Sequence, residues 1–330
     1  MSVPRILGGS AIGLVSVLAL AGCASQPAAE AGKNKPAAAT VTVEDNHGTH
    51  EVSLSPASVV ATDNRTFQTL ADWGIDLSAA ARALMPATNS YKDDESIIDL
   101  GNHREPDLEA LVAAEPDLII NGQRFAQYYG DIAALAPDAT IIELDPRDGE
   151  PFDAELKRQV TVLGQIFGRE AEADELVADF ESAVERAKAA YDAADTVMAV
   201  NTSGGEIGYI APTVGRTLGP IFDLLRLTPA LEVEDATDDH QGDDISVEAI
   251  AKSNPAWILV MDRDAAVAAD DADYVQAAEI LVNSEALASV DAIRDEHVVY
   301  MPADTYTNEG IQTYTTFLND FADALENAEK

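Results

Sequence analysis

From residue 50 to the C-terminus, short apolar runs alternate with stretches whose apolar positions recur every three or four residues. The runs VVATDN (59–64), DLIING (117–122), TIIELD (140–145), TVMAVNT (196–202), WILVMD (257–262) and VVYMP (298–302) read as strands. Between them, TFQTLADW, PDLEALVAAE, YYGDIAALA, GPIFDLLRL and VEAIAKS read as helices. Strand and helix in alternation predict an α/β fold of parallel strands with helical crossovers. The middle breaks the alternation. From Phe152 to about Tyr191 there is no strand signal, and Phe152, Leu156, Val160, Leu163 and Phe167 share one helical face. Gly168 offers a break, after which EAEADELVADFESAVERAKAAY makes a second amphipathic helix.

The pattern therefore predicts two Rossmann-like α/β lobes, 41–150 and 170–330, joined by one long α-helix at 151–169, with a ligand cleft between them. A helix is a stiff connector, so the lobes are expected to rock slightly rather than clap shut. The chain also repeats a phrase. EALVAAEPDLIINGQR (109–124) and EAIAKSNPAWILVMDR (248–263) both place Pro seven residues after Glu and Arg eight residues after Pro. In a parallel α/β sheet, strand C-termini and helix N-termini share one rim. Glu109 and Glu248 then lie in first helical turns, where the dipole favours a carboxylate in any protein. Arg124 and Arg263 lie just past strand ends, expected to face each other across the cleft.

Before the body stands ILGGSAIGLVSVLALAGC, preceded by Arg5. A charge, a short apolar run and small residues describe a secretory signal over 1–22 rather than a permanent span. Its end, Leu20-Ala21-Gly22-Cys23, resembles the bacterial lipobox, which implies acylation of Cys23, the only cysteine. The exported body then has no internal disulfide. ASQPAAEAGKNKPAAAT follows with no apolar face, a flexible tether over 23–40.

Twenty basic against 59 acidic residues give a formal net charge of −39. That field argues against nucleic acid and anionic lipid as partners, but not against an anionic ligand held locally. Charges beyond about 8 Å are screened at physiological salt, whereas one close arginine–anion pair contributes about 4 kcal/mol at an effective dielectric near 20.

GNHREPDLEALVAAEPDLIINGQR (101–124), GGEIGYIAPTVGRTLGPIFDLL (204–225), ISVEAIAKSNPAWILVMDRDAA (245–266) and VVYMPADTYTNEG (298–310), in that order, resemble landmarks of a known family. It comprises the substrate-binding lipoproteins of ABC importers for iron–siderophores and cobalamin, the binding proteins with a helical backbone between lobes. The resemblance runs from about residue 41 to the C-terminus and is nearest to the ferric-siderophore branch, catecholate binders in particular. It implies three cleft arginines, at Arg124, Arg216 and Arg263, neutralising an anionic ferric chelate; guanidinium suits that task because it keeps its charge while donating several hydrogen bonds. Arg216 is expected to open the helix GRTLGPIFDLL. The resemblance also implies His240 and Tyr306 as iron ligands where the siderophore leaves two positions open, chemistry that phenolate and imidazole suit. Here the chain departs from the family pattern, reading His-Gln-Gly rather than His-Gly and lacking a Trp before Tyr306. Tyr91, Tyr128, Tyr129 and Tyr209 are candidates to stack on catechol rings, with packing as the alternative. Glu109 and Glu248 match positions where one acidic residue per lobe docks on the permease dimer, with its ATPase on the cytoplasmic side.

The expected product is a monomeric, membrane-anchored, extracytoplasmic binding protein with no enzymatic cofactor and a ferric siderophore as cargo. Haem or cobalamin is the alternative ligand. An exported hydrolase is the alternative class, although the chain has no G-x-S-x-G, H-E-x-x-H or P-loop. Asp238, Asp239, Asp243 and Asp244 lack the spacing of a known calcium loop. His47-x-x-His50 reads as a hairpin turn rather than a metal site.

Overall fold

The computed structural model describes residues 39–328. The leader 1–22, Cys23 and most of the tether lie outside the described residues. The body opens with an antiparallel hairpin, Thr40–Asp45 with Gly48–Ser53. At its turn His47 faces Glu143 at 3.2 Å, while His50 meets Asp45 at 2.9 Å.

The first lobe is built on a five-stranded sheet in the order Ile98–Asp99, Ala79–Ala80, Val59–Ala61, Leu118–Asn121, Thr140–Glu143. Every pairing in it is parallel. Helices Phe67–Asp72, Leu108–Ala113 and Tyr129–Leu135 supply the crossovers. Continuous apolar strands such as Leu-Ile-Ile are what a sheet covered on both faces requires, and Leu118, Ile119 and Ile120 are buried.

The second lobe's sheet runs Glu206–Ile210, Thr196–Ser203, Trp257–Asp262, Val298–Tyr300, with Thr228–Pro229 also pairing to Thr196–Ser203. Its central strands are parallel, but Glu206–Ile210 folds back antiparallel through the Gly204-Gly205 turn. The α/β pattern does not announce that strand, because its five residues carry a polar Glu and a Gly between apolar ones.

Between the lobes stand two helices, Phe152–Phe167 of 16 residues and Glu170–Ala190 of 21 residues. Gly168 adopts a left-handed conformation at φ 63°, closing the first, which suits a residue without a Cβ. The first helix is pinned at its start by the buried Glu155, which accepts hydrogen bonds from Arg147 and Arg158. Burial alone would raise the Glu155 pKa; the two arginines outweigh it and hold it at about 2. The buried face carries Leu156, Val160 and Leu163, while Phe152 and Phe167 are half-buried at its ends. One continuous apolar core runs from Phe67 and Leu70 of the first lobe through this helix to Phe317 and Phe321 of the C-terminal helix Ile311–Ala328. The two lobes therefore share one core along the helix Phe152–Phe167. No helix among the described residues is long and apolar enough to cross a membrane.

Candidate functional site

Three arginines from distant parts of the sequence meet at one ring. The guanidinium carbons of Arg124, Arg216 and Arg263 lie 5.0, 5.0 and 4.8 Å from the centroid of Tyr306, within cation–π range. Together they line a cavity of about 310 Å³ whose other walls include Asn64, His103, Arg104 and His240. Larger hollows exist, one of about 640 Å³ beside Ser246 and Val275, but none of these arginines reaches it.

Local backbone geometry explains how the arginines are aimed. The strand Leu118–Asn121 ends at Gly122, where an added Cβ would sit 2.9 Å from an Asp63 oxygen. Gln123 then takes a left-handed φ of 49°, and its N–H donates to Asp145 at 2.7 Å. That strained turn throws Arg124 into the cleft. Arg263 begins the short helix Arg263–Val267, directly after its strand. It donates to Ser203 and Asp264, each at 3.1 Å. Arg216 does not open a helix as the sequence suggests. Thr217 is left-handed at φ 69°, and the helix starts only at Gly219. Arg216 is held instead by Glu309, with Nε to Oε1 at 3.0 Å and Nη2 to Oε2 at 2.9 Å.

Several polar atoms at this cavity lack partners: Asn64 Oδ1, His103 Nδ1, Arg124 Nη2 and Arg263 Nε. The guanidinium nitrogens of Arg124 and Arg263 are donors, and buried donors without acceptors are costly unless a ligand supplies them, so this part of the cleft is suited to an acceptor-rich anion. Burial, with Arg124 and Arg104 nearby, lowers the His103 pKa and so favours its neutral imidazole. Tyr306 is 5% exposed. Burial raises its pKa, but hydrogen bonds from Arg124 and Arg263 outweigh that and lower it, easing formation of a phenolate.

Beneath the cleft lies a charged network that links the lobes. Arg65 pairs with Asp145 at 2.8 Å and with Glu309 at 3.4 Å. Glu309 is 2% exposed, yet Arg216 and Arg65 overcome its burial and hold its pKa at about 2. Asp63 behaves oppositely: burial, then repulsion by Asp145, pushes it up to about 8 despite Arg65. A carboxyl whose folded pKa is raised contributes stability fully below its ordinary 3.8 and loses it as pH rises through about 8. The thermal midpoint is therefore expected to fall by about 3 °C or more between about pH 5 and pH 8.5, a domain of this size shifting about 2–4 °C per kcal/mol. In Asp63→Asn that slope flattens. Melting curves across the pH range check it, and an equal slope in both proteins refutes it.

His240 and Tyr306 line the same cavity. His240 is exposed on the loop before Asp243, its carbonyl accepting from Asn201 at 3.1 Å. The stacking tyrosines require correction, because none of the four lines this cavity. Tyr209 is fully buried in the core, donating to the Leu231 carbonyl at 2.6 Å; its register in the antiparallel strand turns it inward. Tyr91 is buried and donates to the Ile75 carbonyl. Tyr129 stacks on His47 with centroids 3.7 Å apart. Tyr128 donates to the carbonyl of His103 at 2.7 Å, supporting the cleft wall without entering it. Asn64, His103 and Arg104 escape the sequence reading; Asn64 closes the strand-like run 59–64, whereas His103 and Arg104 lie ahead of the helix Leu108–Ala113 with no strand signal to mark them. Among the described residues, no group of three or more His, Cys, Asp and Glu side chains is arranged to hold a metal ion. In the acidic loop, Asp243 is engaged by Thr237 at 2.6 Å.

Glu109 and Glu248 are exposed in the first turns of Leu108–Ala113 and Val247–Ser253. The two helices are capped alike, by Asp107 on the Ala110 N–H and by Ser246 on the Ala249 N–H.

A periodic repertoire of α/β lobes around an arginine-lined cleft agrees with sequence comparison, in which the family described as periplasmic binding protein matches residues 59–305. The chain belongs to that family. The petrobactin-binding protein YclQ of Bacillus subtilis is 26% identical over 322 residues, covering 96% of this chain and 97% of the relative. The ferric-anguibactin-binding protein FatB of Vibrio anguillarum is 26% identical over 310 residues, covering 92% and 93%. In structure, the periplasmic catecholate-siderophore binding protein VctP from Vibrio cholerae superposes with a TM-score of 0.72 over 86% of this chain and 99% of that one, at 21% identity. The fold is thus the two-lobed one of these proteins, and the relatives are binding proteins, not enzymes.

Proposed function

We propose that the protein captures an anionic ferric siderophore, of catecholate type, in the cleft between its lobes and hands it to an ABC permease for iron uptake. The observation that carries this reading is the convergence of Arg124, Arg216 and Arg263 on Tyr306. Unpartnered donors of Arg124 and Arg263 support it, as do the siderophores named in the relatives YclQ and FatB. Catecholate oxygens carry concentrated negative charge, which guanidinium groups match by charge-assisted hydrogen bonds. Arginines 5 Å from a ring face also suit the flat faces of catechols. Tyr306 and His240 supply a phenolate and an imidazole to iron where the chelate leaves positions open.

In this reading Cys23 carries a lipid that anchors the monomeric protein outside the cell membrane, and Glu109 and Glu248 meet the permease dimer. Paired carboxylates, one per lobe, fit a two-fold partner because the two contacts must be alike. Isothermal titration against ferric siderophores, haem and cobalamin tests the ligand. Binding to ferric catecholates at micromolar Kd or tighter is expected; binding to haem or cobalamin alone overturns the assignment.

A further inference from the structure

The cleft holds less free positive charge than its arginine count suggests. Four arginines line it: Arg104, Arg124, Arg216 and Arg263. Arg216 is engaged by both oxygens of Glu309, at 3.0 and 2.9 Å. Glu309 is buried and ionised, and it also accepts from Thr217 at 2.7 Å. Arg65 also helps to hold Glu309 ionised, but its own charge is matched at closer range by Asp145, 2.8 Å against 3.4 Å, so it adds no free positive charge to the cleft. Arg263 is matched by Asp264 at 3.1 Å. Among the described residues, only Arg124 and the exposed Arg104 face the cavity without a paired carboxylate.

We infer that Glu309 sets the charge selectivity of the cleft, which takes ferric catecholates of one or two negative charges in preference to trianions. The inference rests on the proposed function, since it concerns which ferric chelate that same cleft accepts. Iron(III) with three catecholates carries three negative charges; with two it carries one. A trianion facing two unmatched cations keeps a surplus charge in a partly desolvated site, which is unfavourable. The ligand cannot readily recruit Arg216, because pulling it away strands a buried carboxylate on a longer contact to Arg65. The formal net charge of −39 adds repulsion that grows with ligand charge.

The test compares ferric complexes of a linked bis-catecholate and a linked tris-catecholate by isothermal titration at fixed ionic strength. The full chain is expected to favour the bis-catecholate complex by about tenfold or more. In Glu309→Gln, Arg216 is left unmatched, and the ratio is expected to move toward the tris-catecholate complex by about tenfold. The ratio of two affinities is the readout because loss of fold alone weakens both ligands together. Asp264→Asn frees Arg263 at a less buried position and is expected to shift the ratio in the same direction, which keeps the test decisive if Glu309→Gln misfolds. Equal or tighter binding of the trianion by the unaltered protein, or an unchanged ratio in the variants, overturns the inference and leaves the siderophore reading standing. Failure of both ferric complexes to bind, with haem or cobalamin bound instead, defeats both.

Discussion

Arg124→Ala is expected to weaken binding of a ferric catecholate by about ten- to a hundredfold while leaving the fold intact. The size follows from losing one charged hydrogen-bonding group, about 1.5–3 kcal/mol. The intact fold follows from the surroundings. Arg124 has an unpartnered Nη2 and packs against the Tyr306 ring, so its removal strands no buried carboxylate. Arg216→Ala is the instructive contrast. It removes two of the hydrogen bonds to Glu309, a residue 2% exposed, and costs both affinity and stability. Titration and thermal melting of the two variants separate the effects. A destabilised Arg124→Ala, or an Arg216→Ala with unchanged melting, contradicts this division of labour, and undiminished binding in both removes the arginines from the site.

Charge reversal at Glu109 or Glu248 is expected to cut iron uptake by about tenfold or more with ligand affinity unchanged, because like charges brought together at a docked interface cost several kcal/mol. Both carboxylates are exposed in first helical turns and, among the described residues, bond to none of the residues lining the cavity. An arginine in a first helical turn opposes the dipole by only about 0.3–1 kcal/mol, and the Asp107 and Ser246 caps remain. Fold and cleft should therefore survive. Uptake measured in cells beside titration of the purified variants checks the separation. Weakened ligand binding in either variant, or uptake at the original rate in both, refutes it.

Much of this architecture is legible in apolar periodicity. Each of the six strand-like runs contains a strand, because buried parallel strands demand unbroken apolar sequence. The repeated Glu-Pro-Arg spacing marks rim positions because strand ends and helix starts coincide there in any parallel α/β sheet. What escapes is set by contacts across the chain. Glu309 and Arg65 lie 244 positions apart and meet only after the C-terminal helix returns to the first lobe. Tyr209 has a loop-like neighbourhood in sequence, and only the antiparallel return of Glu206–Ile210 reveals that it is core. Arg216 misleads for a local reason. GRTLGPIFDLL reads as one helical phrase, but left-handed Thr217 delays the helix to Gly219 and leaves Arg216 for Glu309.

The central claim is that one cleft, built by arginines of both lobes around Tyr306, holds the ferric cargo. Anomalous diffraction at the iron edge from crystals grown with a ferric catecholate tests it most directly. The account predicts a single iron peak in the cavity bounded by Arg124, Arg216 and Arg263, with chelate oxygens within hydrogen-bond reach of Arg124. Iron bound elsewhere on the protein, with this cavity empty of chelate, contradicts it.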